Sequence, residues 1–252
     1  MKYFVSEDSI VRKIWGQADA ILFIFAGASA EFALNKAVDW LYFTGRLPTD
    51  PLGRLFSTVG YARQIVFSEY DAAIHAIDKI TAIHQGVEKE RGAKIPDWAY
   101  RDVLFMLVDY SIRSFEVLER KLTEDEKGEI FEVFHQVGAR MDISGLPQHY
   151  EQWRIMREEH LKENLLKSDF TLDLYKQYKK HLGPVRYRLL LQVQVLVVPE
   201  RVNALLSLGN FRVLDPVLSL YKLTRFFGIE KVIRNSILPR DYKKQVIDLD
   251  GM

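Results

Sequence analysis

Cysteine is absent from the 252 residues. That excludes disulfides, thiolate metal sites, iron–sulfur clusters and cysteine nucleophiles together, gives no support to secretion and suits a reducing compartment. Charge of one sign is also lacking. Lys and Arg number 35 against 34 Asp and Glu, so the basic excess of a general nucleic-acid binder is missing and no nucleic-acid partner is expected. Long apolar runs are missing too. Ala20–Ala28 is bounded by Asp19 and Glu31, and Leu189–Val198 is broken by Gln192 and Gln194. Both fall short of the ~20 residues that span a bilayer. Met1–Asp8 carries acids where a signal peptide would be apolar. The expectation is a cytoplasmic protein, soluble or peripheral to a membrane. There is no internal repeat, no phosphate-binding glycine loop, no Gly-x-Ser-x-Gly elbow and no His-Glu-x-x-His zinc motif.

What remains is helical punctuation around apolar periodicity. Ile10, Ile14, Ala18, Ile21 and Phe25 recur at helical spacing, which predicts a helix capped by Ser6 or Asp8 and running to about Ala33. A second segment covers about Glu31 to Phe43. Asp50-Pro51 combines a good N-cap with the residue most at home in the first helical position, opening a helix to about Phe67. Ser68 or Glu69 begins the next, to about Glu90, and Asp97 another, to Arg120. Thr123 with Glu126 matches a capping box. Further helices fit Pro147–Lys167, Thr171–His181, Pro184–Val197, Pro199–Ser207 and Asp215–Ile233. The β-branched stretch Leu189–Val198 would allow a strand, but a lone strand has nothing to pair with, so a buried helix is the better reading. The sum is one all-α domain over residues 1–252, about ten helices with a core over about 9–240. The 15 Phe and 12 Tyr suit a deep apolar core or pocket.

Few residues point to chemistry. Glu132-x-x-His135 stands alone, whereas a di-iron bundle needs two such motifs and two further Glu; a surface pair is the plainer reading. His84 shares a helix stripe with Ala73, Ile77, Ile80 and Val87, where it is either a core histidine or an axial ligand. Gly53, Ser57 and Gly60 share one stripe of the preceding helix, with Arg54, Thr58 and Tyr61 beside it. A glycine inside a helix costs about 1 kcal/mol, so Gly60 implies close approach, either of another helix or of a flat ligand. Arg54 could instead pair with Asp50, and Thr58 could bond back to the Arg54 carbonyl.

Asp50-Pro51-Leu52-Gly53-Arg54-Leu55-x-x-Thr58 resembles the signature of the rubber-oxygenase catalytic-domain family, which takes in latex-clearing proteins and MpaB-type oxygenases. Val66-Phe67, Ile83-His84-Gln85-Gly86-Val87, Leu107-Val108-Asp109-Tyr110-Ser111, Val198-Pro199-Glu200-Arg201 and Leu205–Gly209 follow in the family's order, spanning about residues 9–240. The resemblance implies an all-helical haem-b fold that uses dioxygen on carbon–carbon double bonds of isoprenoid chains. It makes His84 the iron ligand and Arg54 and Thr58 the distal residues, with Gly60 in the cofactor-binding strip. Ser57 stands where latex-clearing proteins carry a Lys, and Leu104 and Asn35 lie near positions where many members carry His.

Iron held by one imidazole leaves a position for dioxygen. Arg54 could stabilise negative charge on oxygen, Thr58 could hydrogen-bond it, and Asp39 is a candidate acid–base residue. The expectation is therefore a haem-b oxygenase with dioxygen and an apolar small molecule as substrates; the alternative is a haem- or lipid-binding module without turnover. Lys222–Lys244 holds seven Lys and Arg against Glu230 and Asp241. It reads as solvated helix ends or, alternatively, as a patch facing a membrane surface or partner.

Overall fold

The helix signals resolve into ten α-helices in a computed structural model, which describes residues 2–45 and 49–209 and, of residues 51, 52 and 54–56, the backbone alone. They are α1 (Ile10–Trp15), α2 (Ala18–Phe32), α3 (Val38–Phe43), α4 (Pro51–Phe67), α5 (Tyr70–Arg91), α6 (Asp97–Leu118), α7 (Glu124–Arg140), α8 (Tyr150–Glu163), α9 (Asp169–Val197) and α10 (Glu200–Leu206). Among the described residues there is no strand; extended pairing is confined to two isolated bridges, Tyr3 with Glu69 and Asn35 with Leu165. The chain is all-α. No described helix is long and apolar enough to cross a membrane. The helix expected over Asp215–Ile233 and the basic stretch Lys222–Lys244 lie outside the described residues.

The local signals act where they stand. Asp50 caps α4, its Oδ1 accepting from the Gly53 backbone N–H at 2.8 Å, with Pro51 in the first turn. The cap also explains Gly53. A Cβ there would sit 2.0 Å from Asp50 Oδ2, so only glycine lets the aspartate fold over the helix start. Thr123 and Glu126 close the capping box of α7 in both directions. Leu189–Val197 is helical.

Two expectations are corrected. The first helix is two, α1 and α2, broken at Gly16–Gln17, and Ser9 caps it rather than Ser6 or Asp8; the apolar spacing runs on through the break, so periodicity could not reveal it. The segment from Glu31 is not continuous helix either. Its chain turns after Phe32, where Asn35 Oδ1 accepts from Ala37 N at 2.8 Å, and resumes as α3. The break expected between His181 and Pro184 is present as a kink that divides α9 into two helical halves: Gly183 has φ 71° and ψ 172°, a backbone region open essentially to glycine alone.

The core is built around α2, which packs most extensively against α6 and α9. Gly27 sets that contact, because a Cβ there would meet the Tyr110 ring at 2.2 Å. Trp15, Tyr110 and Phe115 are fully buried, and Trp15 Nε1 donates to Ser111 Oγ at 3.1 Å. A smaller cluster joins Ile65 of α4 and Ala73, Ala76 and Ile77 of α5 to Leu104 and Val137. A third lies where α3 meets α9, around Val38, Leu174 and Tyr178. Burial along α5 stops at Ile77: beyond it Ile80, His84 and Val87 are half-buried and Ile83 is exposed.

Candidate functional site

Helices α4 and α5 form an antiparallel hairpin turned at Ser68–Glu69. Lys79 Nζ lies 6.0 Å from the Tyr61 ring across the two helices. Thr58 is half-buried one helical turn beyond Arg54, and Ser57 and Gly60 are exposed. The Arg54 side chain lies outside the described residues. At Gly60 a Cβ would meet nothing within 4 Å, so close approach by another described helix does not explain that glycine, and the space above it is open.

His84 presents its imidazole to Tyr100 of α6, edge to face at 5.2 Å and 76°. Tyr100 is itself held: its hydroxyl donates to Glu88 Oε1 at 3.2 Å, and Glu88 also accepts from Ile95 N at 2.9 Å. Burial and the Glu88 carboxylate push the Tyr100 hydroxyl well above the ordinary phenol range, so it stays a donor at neutral pH. Two turns past His84, Arg91 Nη2 donates to Asp39 Oδ2 at 2.6 Å, and the guanidinium lies 3.9 Å from the Trp40 ring centre. Asp39 is thus engaged in a clasp that ties α3 to the end of α5. These residues fit the haem that the resemblance implies: one half-buried imidazole, an apolar wall of Ile80, Ile83 and Val87 left incompletely covered, and open space over Gly60. Among the described residues no three His, Asp or Glu side chains converge to hold a bare metal ion. Glu132 is exposed and accepts from Gln136 Nε2, and His135 lies against Phe131.

A second constellation was not foreseen from the sequence. Glu31 of α2, Asp102 and Asp109 of α6, and Arg157 and His160 of α8 meet in the interior, all buried. Arg157 forks onto Glu31, Nη1 to Oε1 at 2.5 Å and Nη2 to Oε2 at 2.6 Å. It also donates to Asp109 Oδ2 from Nη2 at 2.8 Å, and Arg113 donates to Asp109 Oδ1 at 2.7 Å. His160 is gripped at both nitrogens, by Glu31 Oε1 at 3.1 Å and by Asp102 Oδ1. Tyr110 donates to Glu31 Oε2 at 2.8 Å and Asn35 Nδ2 to Asp102 Oδ2 at 3.0 Å. Asn35 thus serves this network, while Leu104, the other position where many relatives carry His, packs in the core 2.5 Å from where a Gly138 Cβ would stand. Signals for the network existed, namely Asp102 and Asp109 seven apart on one helix face, Arg157 and His160 three apart on another, and Glu31 at the end of an apolar run. Nothing local said that these faces meet.

The charges balance when His160 is protonated, three carboxylates against Arg113, Arg157 and an imidazolium. Burial alone would lower the His160 pKa, but its hydrogen bonds to Asp102 and Glu31 outweigh that and raise it. Burial would raise Glu31, yet the Arg157 guanidinium overrides it and holds the carboxyl at about 2. Because the His160 pKa is higher folded than unfolded (about 6.5), its stabilisation is complete below about pH 6.5 and is lost as pH rises through the folded value. For Glu31 the sign is opposite: its contribution is full above about 4.5 and falls away on acidification towards about 2. The urea midpoint should therefore decline on the alkaline side of about pH 6.5, and His160→Gln should remove that decline. Parallel profiles for the two proteins would refute the imidazolium assignment.

Residues 12–228 match the family model described as "ER-bound oxygenase mpaB/B'/Rubber oxygenase, catalytic domain". No curated protein and no solved structure gives a significant match. The match covers most of the chain, takes in α4 and α5 with Arg54, Thr58 and His84, and agrees with the all-helical fold, so the chain belongs to the MpaB/rubber-oxygenase catalytic-domain family.

Proposed function

We propose that the chain is a haem-b oxygenase that uses dioxygen on carbon–carbon double bonds of an apolar, isoprenoid-type substrate. The observation that carries this reading is the family match over residues 12–228, which takes in the Arg54, Thr58 and His84 motifs. When bound, haem b supplies the redox chemistry that activates dioxygen. His84 would be the residue that holds the haem iron, its ring set against Tyr100, which Glu88 in turn holds. Arg54, near the start of α4, would supply positive charge to offset negative charge on oxygen, and the positive end of the helix dipole acts in the same sense. Thr58 Oγ1 offers a hydrogen bond from one turn further on. Ile80, Ile83 and Val87, on the same helix face as His84, offer apolar surface to such a substrate. Asp39, the acid–base candidate, is held at Oδ2 by Arg91.

A binding module without turnover is the second reading, and one observation favours it: Asn35 and Leu104, at the positions of the family's other histidines, are given over to the buried network and the core.

The test begins with colour. The purified protein should show a Soret band, and His84→Ala should abolish or strongly weaken it while helical circular dichroism persists, since His84 is only half-buried. An unchanged haem spectrum in that variant would remove His84 as ligand. Haem retained through His84 without oxidation of any unsaturated isoprenoid would select the binding module.

A further inference from the structure

We infer that the kinked helix α9 carries a docking surface for an anionic lipid bilayer. Between Asp173 and Glu200 the chain contains no acidic residue. Lys176, Lys179, Lys180 and Arg188 of this stretch are exposed, and none has an ion-pair partner among the described residues. The first half of α9 is two-faced. Thr171, Leu174 and Tyr178 are buried, whereas Leu172, 49% exposed, shares the outward stripe with Lys176, Lys179 and Lys180 at helical spacing. The break at Gly183 then turns the chain, and Val185, just past Pro184, stands 76% exposed at the corner.

Cations alone would suit any polyanion. Leu172, Pro184 and Val185 decide the class of partner, because apolar side chains gain nothing against phosphodiesters but gain by entering the boundary between head groups and acyl chains. Lysine stems can lie along that boundary while their ammonium groups reach lipid phosphates and carboxylates. The kink places both kinds of group at one corner of the fold, with the buried face of α9 fixed on α2 and α3 behind them. α3 carries exposed Phe43 and is tied through Asp39 to Arg91, on the helix that bears His84.

The experiment is co-sedimentation of the full chain with vesicles of phosphatidylcholine alone and of phosphatidylcholine with about a quarter phosphatidylserine, at about 0.15 M salt and again at about 1 M. Binding is expected only to the phosphatidylserine vesicles and should fall sharply at the higher salt. Each lysine near an anionic surface is worth about fivefold in affinity, so Lys176→Gln with Lys179→Gln and Lys180→Gln should weaken binding at least about tenfold. Val185→Asp should weaken it as well, with Val185→Ser as the milder variant, and circular dichroism should be unchanged because all these side chains are exposed. The proposal fails if phosphatidylserine adds nothing, if the α9 substitutions leave vesicle binding unchanged, or if a single-stranded RNA oligonucleotide binds through the same residues while vesicles do not. Haem content does not enter any of these readouts, so the docking proposal and the oxygenase proposal fail separately.

Discussion

Arg157→Met is expected to lower the unfolding free energy by about 3–5 kcal/mol, seen as a fall in the urea midpoint at unchanged slope. That is a large share of the roughly 5–15 kcal/mol by which domains are stable. The size follows from what is left behind. Arg157 is the common partner of Glu31 and Asp109, both buried and between them reached by its three guanidinium nitrogens. Without it Glu31 keeps only Tyr110 and His160, and Asp109 keeps only Arg113 at the edge of the core. Removing one member of a buried pair costs far more than the pair itself contributes. Accordingly, adding Glu31→Gln and Asp109→Asn to Arg157→Met should recover part of the loss by removing the stranded charge. An exposed pair provides the contrast: Arg140 with Asp78, both about half exposed, should contribute about 0–1 kcal/mol. If Arg157→Met unfolds with the parent midpoint, the network does not hold the three helices together.

The second large effect concerns Arg54. Arg54→Ala should keep the Soret band yet lose about 10²–10³ in the rate of double-bond oxidation, the usual result of removing one preorganised donor to developing negative charge. Arg54→Lys should restore part of the rate, since a point charge lacks the planar fork. A structural role for Arg54, as an exposed partner of Asp50, predicts a small stability loss and normal turnover. Turnover at the parent rate in Arg54→Ala would overturn the distal assignment and favour the binding module.

How much of the site was legible can be read residue by residue. Arg54, Thr58 and His84 came from motif order, on two helices that are joined at Ser68–Glu69 and pack against each other. Gly53 was legible as part of a small-residue stripe but not as a cap requirement. Its reason is an Asp50 side chain folded back over the first turn. Asp39 was read as an acid–base candidate; its partner, Arg91, lies 52 positions along the chain and carries no local sign of the contact.

The sequence by itself determined the helix class, most helix starts and the absence of thiol chemistry, because each depends on groups within about one turn of each other: Asp50 with Gly53, Thr123 with Glu126, apolar residues three and four apart. Only the tertiary structure decided where Gly16 interrupts a continuous pattern, where burial along α5 stops, and that Glu31, Asp102, Asp109, Arg157 and His160 share one interior site. Those partners stand up to 129 positions apart. Helical periodicity says that a face is turned inward; which other face it meets, and therefore whether a buried acid finds a guanidinium or an imidazole, is set by the packing of α2, α6 and α8 alone.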